Sequence, residues 1–250
     1  MNDLSGSTAI VTGASRRLGK DIGLGLAREG VNVVVHYRNS EKEAMATADR
    51  IRSTGAKAWA IQADLGTPRG VEEFVSNCSE IADPVSILIN SASIFPEGGV
   101  LDAAEEEFLE NIRINTLAPL ALCRWFANQS GPVNQGAIVN LLDARMVDYD
   151  RLHVPYHLSK QALFSLTRML SIELAPEIRV NGVAPGLVLP PESQGEEYLH
   201  KFAHTNPLNT WGSASDITDA VLFLLKASFV TGQIIYVDGG RHMKGRFYGS

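Results

Sequence analysis

The feature that most constrains the fold is a repeated alternation between short apolar runs and longer segments with helical spacing. The apolar runs are typical of strands, at residues 8–11, 31–37, 56–63, 85–89, 136–142, 178–183 and 234–237. Helical patterns separate most of them, at residues 17–29, 40–53, 68–81, 103–128 and 154–174. Strands that are apolar throughout must be covered on both faces, so the pattern predicts an α/β fold. We expect a Rossmann-like, doubly wound sheet of about seven parallel strands flanked by helices, with ligands beyond the carboxyl ends of the strands.

Composition limits the number of domains and the classes of function. The 250 residues are 45% hydrophobic and 20% charged, without repeats or linkers, so one domain over residues 1–250 is expected. The net charge of −6 argues against nucleic-acid binding, which needs a basic stripe. Residues 1–6 do not resemble a signal peptide, and no apolar stretch reaches membrane-span length, which favours a soluble cytoplasmic protein. Cys78 and Cys123 have no metal-ligand spacing, so buried thiols and no metal site are expected.

The first strand runs into a loop at residues 12–19 with the sequence Thr-Gly-Ala-Ser-Arg-Arg-Leu-Gly. Gly13 and Gly19 allow a tight turn and the close approach of a pyrophosphate to the N-terminus of the next helix. Arg17 stands where a middle glycine is expected, and its guanidinium suits a phosphate or a planar polar ring. The loop could be a tight turn alone, but its place between strand and helix favours a dinucleotide.

The end of the second strand, His36-Tyr37-Arg38-Asn39-Ser40, distinguishes between the two nicotinamide dinucleotides. It lacks the Asp or Glu that commonly binds the ribose hydroxyls of NAD. Arg38 and Ser40 could hold a 2′-phosphate instead, which favours NADP. The equally weighted alternative is that Arg38 is a solvated charge and Ser40 only caps the next helix.

Polar residues also follow the third and fourth strands. Asp64 could fix the adenine edge or simply cap a turn. The small residues of the run Asn90-Ser91-Ala92-Ser93 leave room for a flat ligand. Phe95, just beyond, could stack on an aromatic ring, although taken alone it is expected to be an ordinary core residue.

Three polar residues on two helices suggest acid–base chemistry. Tyr156 and Lys160 are four residues apart and therefore share a helix face. An ammonium beside Tyr156 would lower the phenol pKa from about 10 and fit it for general-acid work. Asn115, in an apolar helix, either holds water or a backbone group near Lys160, or bends the helix.

Taken in order, these pieces resemble the short-chain dehydrogenase/reductase family over nearly the whole length. The matching positions are Thr12, Gly13, Gly19, Asp64, Asn90, Ser91, Ala92, Asn115, Tyr156, Lys160, Pro185 and Gly186. The resemblance implies a nicotinamide cofactor, hydride transfer at the carboxyl edge of the sheet, and a homotetramer. It also implies that Tyr156 donates the proton, that Lys160 holds the nicotinamide ribose and tunes Tyr156, and that Asn115 belongs to the proton relay.

One position departs from the family pattern. Thirteen residues before its tyrosine the family usually has a serine that binds a carbonyl, whereas this chain has Asp143. An ionised carboxylate only accepts hydrogen bonds, and a ketone offers no donor, whereas a pterin offers ring N–H and amino groups. If protonated, Asp143 could donate and would couple to the titration of Tyr156. A loop aspartate or an inactive enzyme is the weaker alternative, because Tyr156 and Lys160 are both present.

This combination resembles the pteridine reductase branch, including the bacterial dihydromonapterin and dihydrofolate reductases. Arg17, the 36–40 run, Ser93 with Phe95, Asp143 with Tyr156, and the ending at residues 229–232 and 238–242 carry the likeness. The resemblance implies reduction of a dihydropterin (dihydrobiopterin, dihydromonapterin or dihydrofolate) by NADPH, with the pterin between Phe95 and the nicotinamide. The alternative within the family is reduction of a ketone or a 3-oxoacyl thioester. A non-catalytic nucleotide sensor is disfavoured by the intact Tyr156 and Lys160.

The resemblance also implies the site residues. The catalytic residues would be Asn115, Asp143, Tyr156 and Lys160. The cofactor contacts would be Gly13, Arg17, Leu18, Gly19, His36, Tyr37, Arg38, Ser40, Asp64, Leu65, Asn90, Ser91, Ala92, Ser93, Tyr156, Lys160, Pro185, Gly186 and Val188. The substrate contacts would be Arg17, Ser93, Phe95, Asp143, Tyr156 and Leu187. Residues 187–211 would cover the substrate, first as pocket wall and then as a mobile lid, or would instead pack at a subunit interface.

Overall fold

Seven parallel strands form the centre of the molecule, which is a computed structural model describing residues 3–81, 84–129, 136–191 and 194–244. The strands are β1 (Thr8–Val11), β2 (Asn32–Tyr37), β3 (Ala58–Gln62), β4 (Val85–Asn90), β5 (Gly136–Leu141), β6 (Ile178–Pro185) and β7 (Ile234–Val237). They lie in the order β3-β2-β1-β4-β5-β6-β7, and every neighbouring pair is parallel. The predicted single-domain, doubly wound α/β fold is therefore confirmed.

Helices cover both faces of this sheet. They are α1 (Arg17–Arg28), α2 (Glu41–Arg52), α3 (Pro68–Ile81), α4 (Glu105–Ile112), α5 (Ala118–Ala127), α6 (Val154–Glu173), α7 (Glu196–Phe202) and α8 (Ala214–Lys226). Short 3-10 turns lie at Ala144–Val147, Ala203–Thr205 and Arg241–Met243. Within the described ranges, none of these helices has the length and apolar character needed to cross a membrane.

The two faces of the sheet have separate cores, which explains why the strands are apolar throughout. Successive residues of a strand point to opposite faces. Val34 packs in the cluster that contains Phe74 of α3, whereas the next residue, Val35, packs in the cluster that contains Ile22 of α1 and Val221 of α8. Each such side chain stabilises the fold by roughly 1.5–3 kcal/mol on burial, so a polar residue at any central strand position would be costly.

The helix predicted over residues 103–128 is interrupted, and this corrects the sequence interpretation. A π-helical segment, Arg113–Leu117, separates α4 from α5 and has Asn115 at its centre. Pro119 explains the irregularity, because it has no N–H to donate to the carbonyl of Asn115 as a regular α-helix requires. Asn115 therefore lies inside an irregular helix whose irregularity Pro119 explains, and a helix-bending role of Asn115 itself stays a prediction.

The segment predicted to cover the substrate combines an extended stretch with helical structure. Residues 187–191 continue from β6 without regular structure, and α7 and the turn Ala203–Thr205 follow. Residues 192–193 lie outside the described residues, as do the remaining undescribed positions of the predicted domain 1–250. Lid motion stays a prediction.

Candidate active site

The predicted site residues gather at the carboxyl edge of the sheet, where β1, β4, β5 and β6 end side by side. Thr12 joins two of these ends, because its hydroxyl oxygen accepts from the backbone N–H groups of Ser91 and Ala92, each at 2.9 Å. The loop after β1 and the segment after β4 therefore form one continuous floor.

The loop between β1 and α1 has the backbone of a phosphate-binding loop. A Cβ on Gly13, whose φ is +66°, would lie 3.0 Å from the Cα of Ala92, and a Cβ on Gly19 would lie 2.4 Å from the Gly13 carbonyl oxygen. Arg17, in place of the middle glycine, also has a positive φ of 53°. The left-handed conformation costs a non-glycine residue about 1–2 kcal/mol, which points to a role for its side chain.

The side chain of Arg17 reaches across the site. Its Nη2 donates to the Pro190 carbonyl oxygen at 2.8 Å, so the cofactor loop is tied directly to the segment after β6. Sequence reasoning placed Arg17 at the mouth of the site but missed this link, because no local pattern relates two residues that are far apart in the chain.

His36 supports the loop from beneath, and its predicted contact with the cofactor stays a prediction. The side chain is 3% exposed, its Nδ1 accepts from the Gly13 N–H at 3.0 Å, and its Nε2 lies 3.2 Å from the Ala63 carbonyl oxygen. Burial lowers its pKa to about 4, so the ring is neutral at physiological pH. Both ring nitrogens are therefore occupied within the protein.

The residues after His36 remain available to a ligand. Tyr37 is half-buried and Arg38 is exposed. Ser40 occupies the N-cap position of α2, yet its side chain forms no capping hydrogen bond, so helix capping does not account for the hydroxyl. Arg38 and Ser40 thus stay predictions for a phosphate contact.

The residues after β3 and at the end of β4 have different roles within the protein. Asp64 caps a turn, because its Oδ1 accepts from the Gly66 N–H at 3.0 Å, while a contact with adenine stays a prediction. Leu65 is buried in the core, and its predicted contact with the cofactor stays a prediction. Asn90 is also buried, and its Nδ2 donates to Asn140 Oδ1 at 2.8 Å. The predicted cofactor contact of Asn90 is therefore restricted to its backbone.

Asn115 fixes the segment that carries Phe95. Its Oδ1 accepts from the Ser93 hydroxyl and the Ile94 N–H, each at 3.0 Å. Its Nδ2 donates to the Ile94 carbonyl oxygen at 3.1 Å and to the hydroxyl of Ser159 at 2.9 Å. The buried amide is well supplied with partners, and one of them adjoins Lys160 as the sequence suggested.

Phe95 is not a core residue, so the core-packing alternative is wrong. Its side chain is 48% exposed. The ring of His153 stacks on it at a centroid distance of 4.0 Å, and the Tyr156 ring meets it edge-on at 4.5 Å. An exposed aromatic ring beside Tyr156 is suited to stack on a flat ligand. His153 was not anticipated from the sequence, since the stack depends on a contact between distant segments.

Asp143, Tyr156 and Lys160 form the polar centre. The Tyr156 hydroxyl donates to Asp143 Oδ2 at 2.8 Å, and Asp143 Oδ1 accepts from the Arg145 N–H at 2.7 Å. Lys160 shares the helix face with Tyr156, its Nζ lying 5.7 Å from the ring centroid, but it donates to the Leu141 carbonyl oxygen at 2.8 Å. The ammonium is therefore directed at the backbone of β5.

The expected lowering of the Tyr156 pKa is wrong. Burial, the charge of Asp143 and the hydrogen bond to Asp143 raise the pKa of Tyr156 well above 10. Burial lowers the pKa of Lys160 to about 8, against the opposing effect of Asp143. Tyr156 is therefore a neutral phenol that holds its proton toward a carboxylate, while Lys160 still carries its charge at neutral pH. Sequence spacing located the pair but could not weigh burial against charge.

The segment after β6 packs closely against neighbouring segments of the chain. Gly186 follows Pro185, the last residue of β6, and a Cβ on it would lie 2.5 Å from the Cα of Asp238. Leu187 and Val188 are buried, and the Leu187 carbonyl oxygen accepts from the Gly212 N–H at 3.0 Å. The start of the predicted covering segment is thus anchored as a wall.

Comparisons with known proteins agree with this geometry. A family model described as Enoyl-(Acyl carrier protein) reductase matches residues 13–242. The 3-oxoacyl-(acyl-carrier-protein) reductase FabG of Staphylococcus epidermidis is 32% identical over 241 residues, which cover 94% of this chain and 99% of the relative.

Two solved structures extend the comparison. FolM alternative dihydrofolate reductase 1 from Brucella suis, in complex with NADP, has a TM-score of 0.91 and 32% identity, covering 99% of this chain and 98% of that chain. The angucycline C-6 ketoreductase LanV with bound NADP has a TM-score of 0.88 and 28% identity, covering 97% and 98%. With the family match spanning nearly its whole length, the chain belongs to the short-chain dehydrogenase/reductase family and is an oxidoreductase.

Proposed function

We propose that the chain is an NADPH-dependent reductase that converts a dihydropterin (dihydrobiopterin, dihydromonapterin or dihydrofolate) to its tetrahydro form. The observation that carries the proposal is Asp143, a carboxylate hydrogen-bonded to Tyr156 at 2.8 Å, where the family usually has a serine. The likeness to the Brucella structures named as dihydrofolate reductases supports the same substrate class.

Asp143 has acceptor capacity to recognise a nitrogen heterocycle. A carboxylate offers about four lone-pair sites, and the hydroxyl of Tyr156 and the N–H of Arg145 occupy two of them. The remaining sites can accept from a pterin N–H or amino group. A ketone has no donor to offer, and the charge of Asp143 would oppose its developing alkoxide.

The cofactor side of the site fits a dinucleotide phosphate. The loop approach at Gly13 and Gly19 leaves no room for a Cβ, which supports a close backbone approach to a pyrophosphate. Arg38 and Ser40 would hold the 2′-phosphate, and Lys160 would hold the nicotinamide ribose. NADPH, when bound there, supplies the hydride that reduces a C=N bond of the pterin.

The chain's own groups orient the pterin and supply the proton. Phe95 offers an exposed ring face for stacking, and Asp143 fixes the heterocycle by its N–H groups. Tyr156, kept protonated by burial and by Asp143, is the proton donor to the ring nitrogen, directly or through water. Among the charges that act on Tyr156, that of Arg145 favours the phenolate that forms there.

A second candidate is reduction of a ketone or a 3-oxoacyl thioester. The FabG relative, named as a 3-oxoacyl-(acyl-carrier-protein) reductase, favours it at 32% identity. The negative charge of Asp143 beside the reacting group argues against it. The pterin proposal is therefore preferred on local chemistry rather than on overall similarity.

We also propose that the protein works as a cytoplasmic homotetramer. Large apolar side chains stand on outward faces of α6 and α8, among them Met169 at 65%, Ile172 at 80% and Phe223 at 56% exposure. Exposed apolar side chains grouped on a face are typical of subunit contacts. Light scattering of the purified protein would contradict this proposal if it gave a monomeric mass.

The test of the function is NADPH oxidation, followed by nicotinamide absorbance with each of the three dihydropterins and with an acetoacetyl thioester as the control substrate. We expect turnover of at least one dihydropterin and little or none of the thioester. Turnover of the thioester alone would contradict the pterin proposal while leaving the family assignment intact.

A further inference from the structure

The loop that precedes α6 contains a carboxylate that the proposed mechanism does not use. Asp150 has a side chain only 11% exposed. Its Oδ2 accepts from Arg145 Nη1 at 2.9 Å and lies 3.2 Å from His153 Nδ1. Its Oδ1 accepts from the N–H groups of Leu152 at 2.8 Å and His153 at 3.2 Å. Burial alone would raise the pKa of Asp150, but these hydrogen bonds and the charges of His153 and Arg145 outweigh it and lower the pKa.

Arg145 connects this carboxylate to the polar centre. Its guanidinium pairs with Asp150, while its backbone N–H donates to Asp143 Oδ1 at 2.7 Å. One residue therefore holds both carboxylates, and the position of Asp143 depends on where Asp150 keeps Arg145.

His153 connects the same carboxylate to the aromatic side of the site. An ionised carboxylate only accepts, so Nδ1 of His153 carries the proton in this contact. The His153 ring lies almost parallel to that of Phe95, at 4.0 Å and an interplanar angle of 13°. Phe95 in turn meets Tyr156 edge-on. Since Tyr156 donates to Asp143, the contacts close into a ring that begins and ends at Asp150.

Backbone hydrogen bonds strengthen the connection that runs through His153 to Phe95. The Gly98 N–H donates to the Leu152 carbonyl oxygen at 2.7 Å, and the Val154 N–H donates to the Gly98 carbonyl oxygen at 2.9 Å. This isolated bridge sits beside the stacked rings of His153 and Phe95. The segment after β4 and the loop before α6 are therefore held in register at the point where the rings meet.

We propose that Asp150 is a positioning residue for the substrate, acting through Arg145 on Asp143 and through His153 on Phe95. The inference rests on the proposed function, because it names the flat heterocycle as the ligand that both groups receive. Phe95 remains 48% exposed in spite of these contacts, so the ring of contacts orients a ligand-facing surface rather than filling the core. Orientation of this kind lowers the cost of binding in a productive geometry.

The test compares Asp150→Asn with Asp148→Asn, which removes the same charge at an exposed position two residues away. Asparagine keeps one accepting oxygen and replaces the other by an amino donor, so it cannot serve both the Arg145–His153 pair at Oδ2 and the two backbone N–H groups at Oδ1, and it loses the charge that pairs with Arg145. Titration calorimetry would give the dissociation constant of dihydrobiopterin for protein saturated with NADP⁺, and separately that of NADP⁺. We expect Asp150→Asn to raise the dissociation constant of dihydrobiopterin about tenfold, because an oriented aromatic contact is lost and a charged acceptor is weakened. The dissociation constant of NADP⁺ should stay unchanged. Asp148→Asn should change neither.

Equal dihydrobiopterin affinity in the two variants would overturn the positioning role and leave the proposed function standing. A parallel loss of NADP⁺ affinity in Asp150→Asn would also overturn it, because Asp150 would then stabilise the fold in general. If wild type binds NADP⁺ but none of the three dihydropterins, the proposed function fails, and the inference falls with it.

A second pair of variants covers the case in which Asp150→Asn does not fold. His153→Phe keeps an aromatic ring on Phe95, whereas His153→Ala removes it. We expect His153→Phe to bind dihydrobiopterin several-fold more tightly than His153→Ala. Equal affinity of the two would contradict the arm that runs through His153 to Phe95.

Discussion

The cofactor side and the substrate side of this site are built in different ways. On the proposed cofactor side, the buried side chains of His36 and Thr12 shape the loop backbone from behind. On the proposed substrate side, the side chains of Asp143, Tyr156 and Phe95 contact and position one another. The difference explains how one family can keep its cofactor and change its substrate: single substitutions alter the second surface without disturbing the first.

The largest expected effect separates the two sides directly. Tyr156→Phe removes the proton donor but keeps the edge contact with Phe95, so we expect turnover to fall by about 10²–10⁴-fold. NADPH affinity, measured by the fluorescence of the bound nicotinamide, should stay within a few-fold of wild type. Unchanged turnover would contradict the assignment of Tyr156.

The buried support of the cofactor side should appear as acid sensitivity. His36 has a pKa of about 4 in the folded chain and about 6.5 when unfolded, so the unfolded state binds the extra proton between these values. The neutral His36 ring therefore makes its full contribution to the free energy of unfolding above pH 6.5. This contribution, about 3 kcal/mol, is lost as the pH falls toward 4. Between pH 7 and pH 5, urea unfolding should show a larger loss of unfolding free energy in wild type than in His36→Gln. Equal pH dependence of the two would contradict the buried neutral state of His36.

Lys160 belongs to both sides, and its titration should weaken cofactor binding in alkali. Burial lowers its pKa to about 8, so the ammonium is present below that pH and lost above it. We expect the NADPH dissociation constant of wild type to rise roughly tenfold between pH 7 and pH 9.5, as a charge-assisted hydrogen bond is lost. Lys160→Met should bind NADPH more weakly than wild type at pH 7, and its dissociation constant should change less with pH. Parallel pH profiles of the two proteins would contradict this role of Lys160.

The smallest expected effect concerns Arg17, which crosses from one side to the other. Its positive φ favours glycine over alanine, while both substitutions remove the contact with Pro190. We expect Arg17→Gly to be about 1 kcal/mol more stable to unfolding than Arg17→Ala. Both should raise the KM for the pterin by a similar factor. Equal stability of the two variants would remove the argument from backbone strain.

The sequence was sufficient to predict the fold and to locate polar groups that the structure brings together, while their catalytic roles stay predictions. Apolar strands in alternation with helices allow few arrangements, so the sheet and its ligand edge could be predicted. The spacing of Tyr156 and Lys160 also survives in the structure, because helix geometry is local. Pro119 is the sequence signal for the break at Asn115, because a proline has no N–H to donate to the carbonyl four residues before it.

What the sequence did not reveal depends on contacts between distant segments. The stack of His153 on Phe95 and the bond from Arg17 to Pro190 join elements that only the tertiary fold brings together. The predicted direction of the Tyr156 pKa shift was wrong for a related reason. Spacing supplies the neighbouring charge, but the depth of burial and the nearer carboxylate of Asp143 outweigh it.

The most direct test of how substrate is chosen is the specificity of Asp143→Ser, compared with wild type and with the charge-free, near-isosteric Asp143→Asn. The measured quantity is the ratio of kcat/KM for dihydrobiopterin to that for an acetoacetyl thioester. We predict that both substitutions lower this ratio by about 100-fold or more, as for a charged hydrogen-bond acceptor lost beside the reacting group, and that only serine raises thioester turnover. A ratio unchanged by either substitution would contradict the claim that Asp143 selects a nitrogen heterocycle.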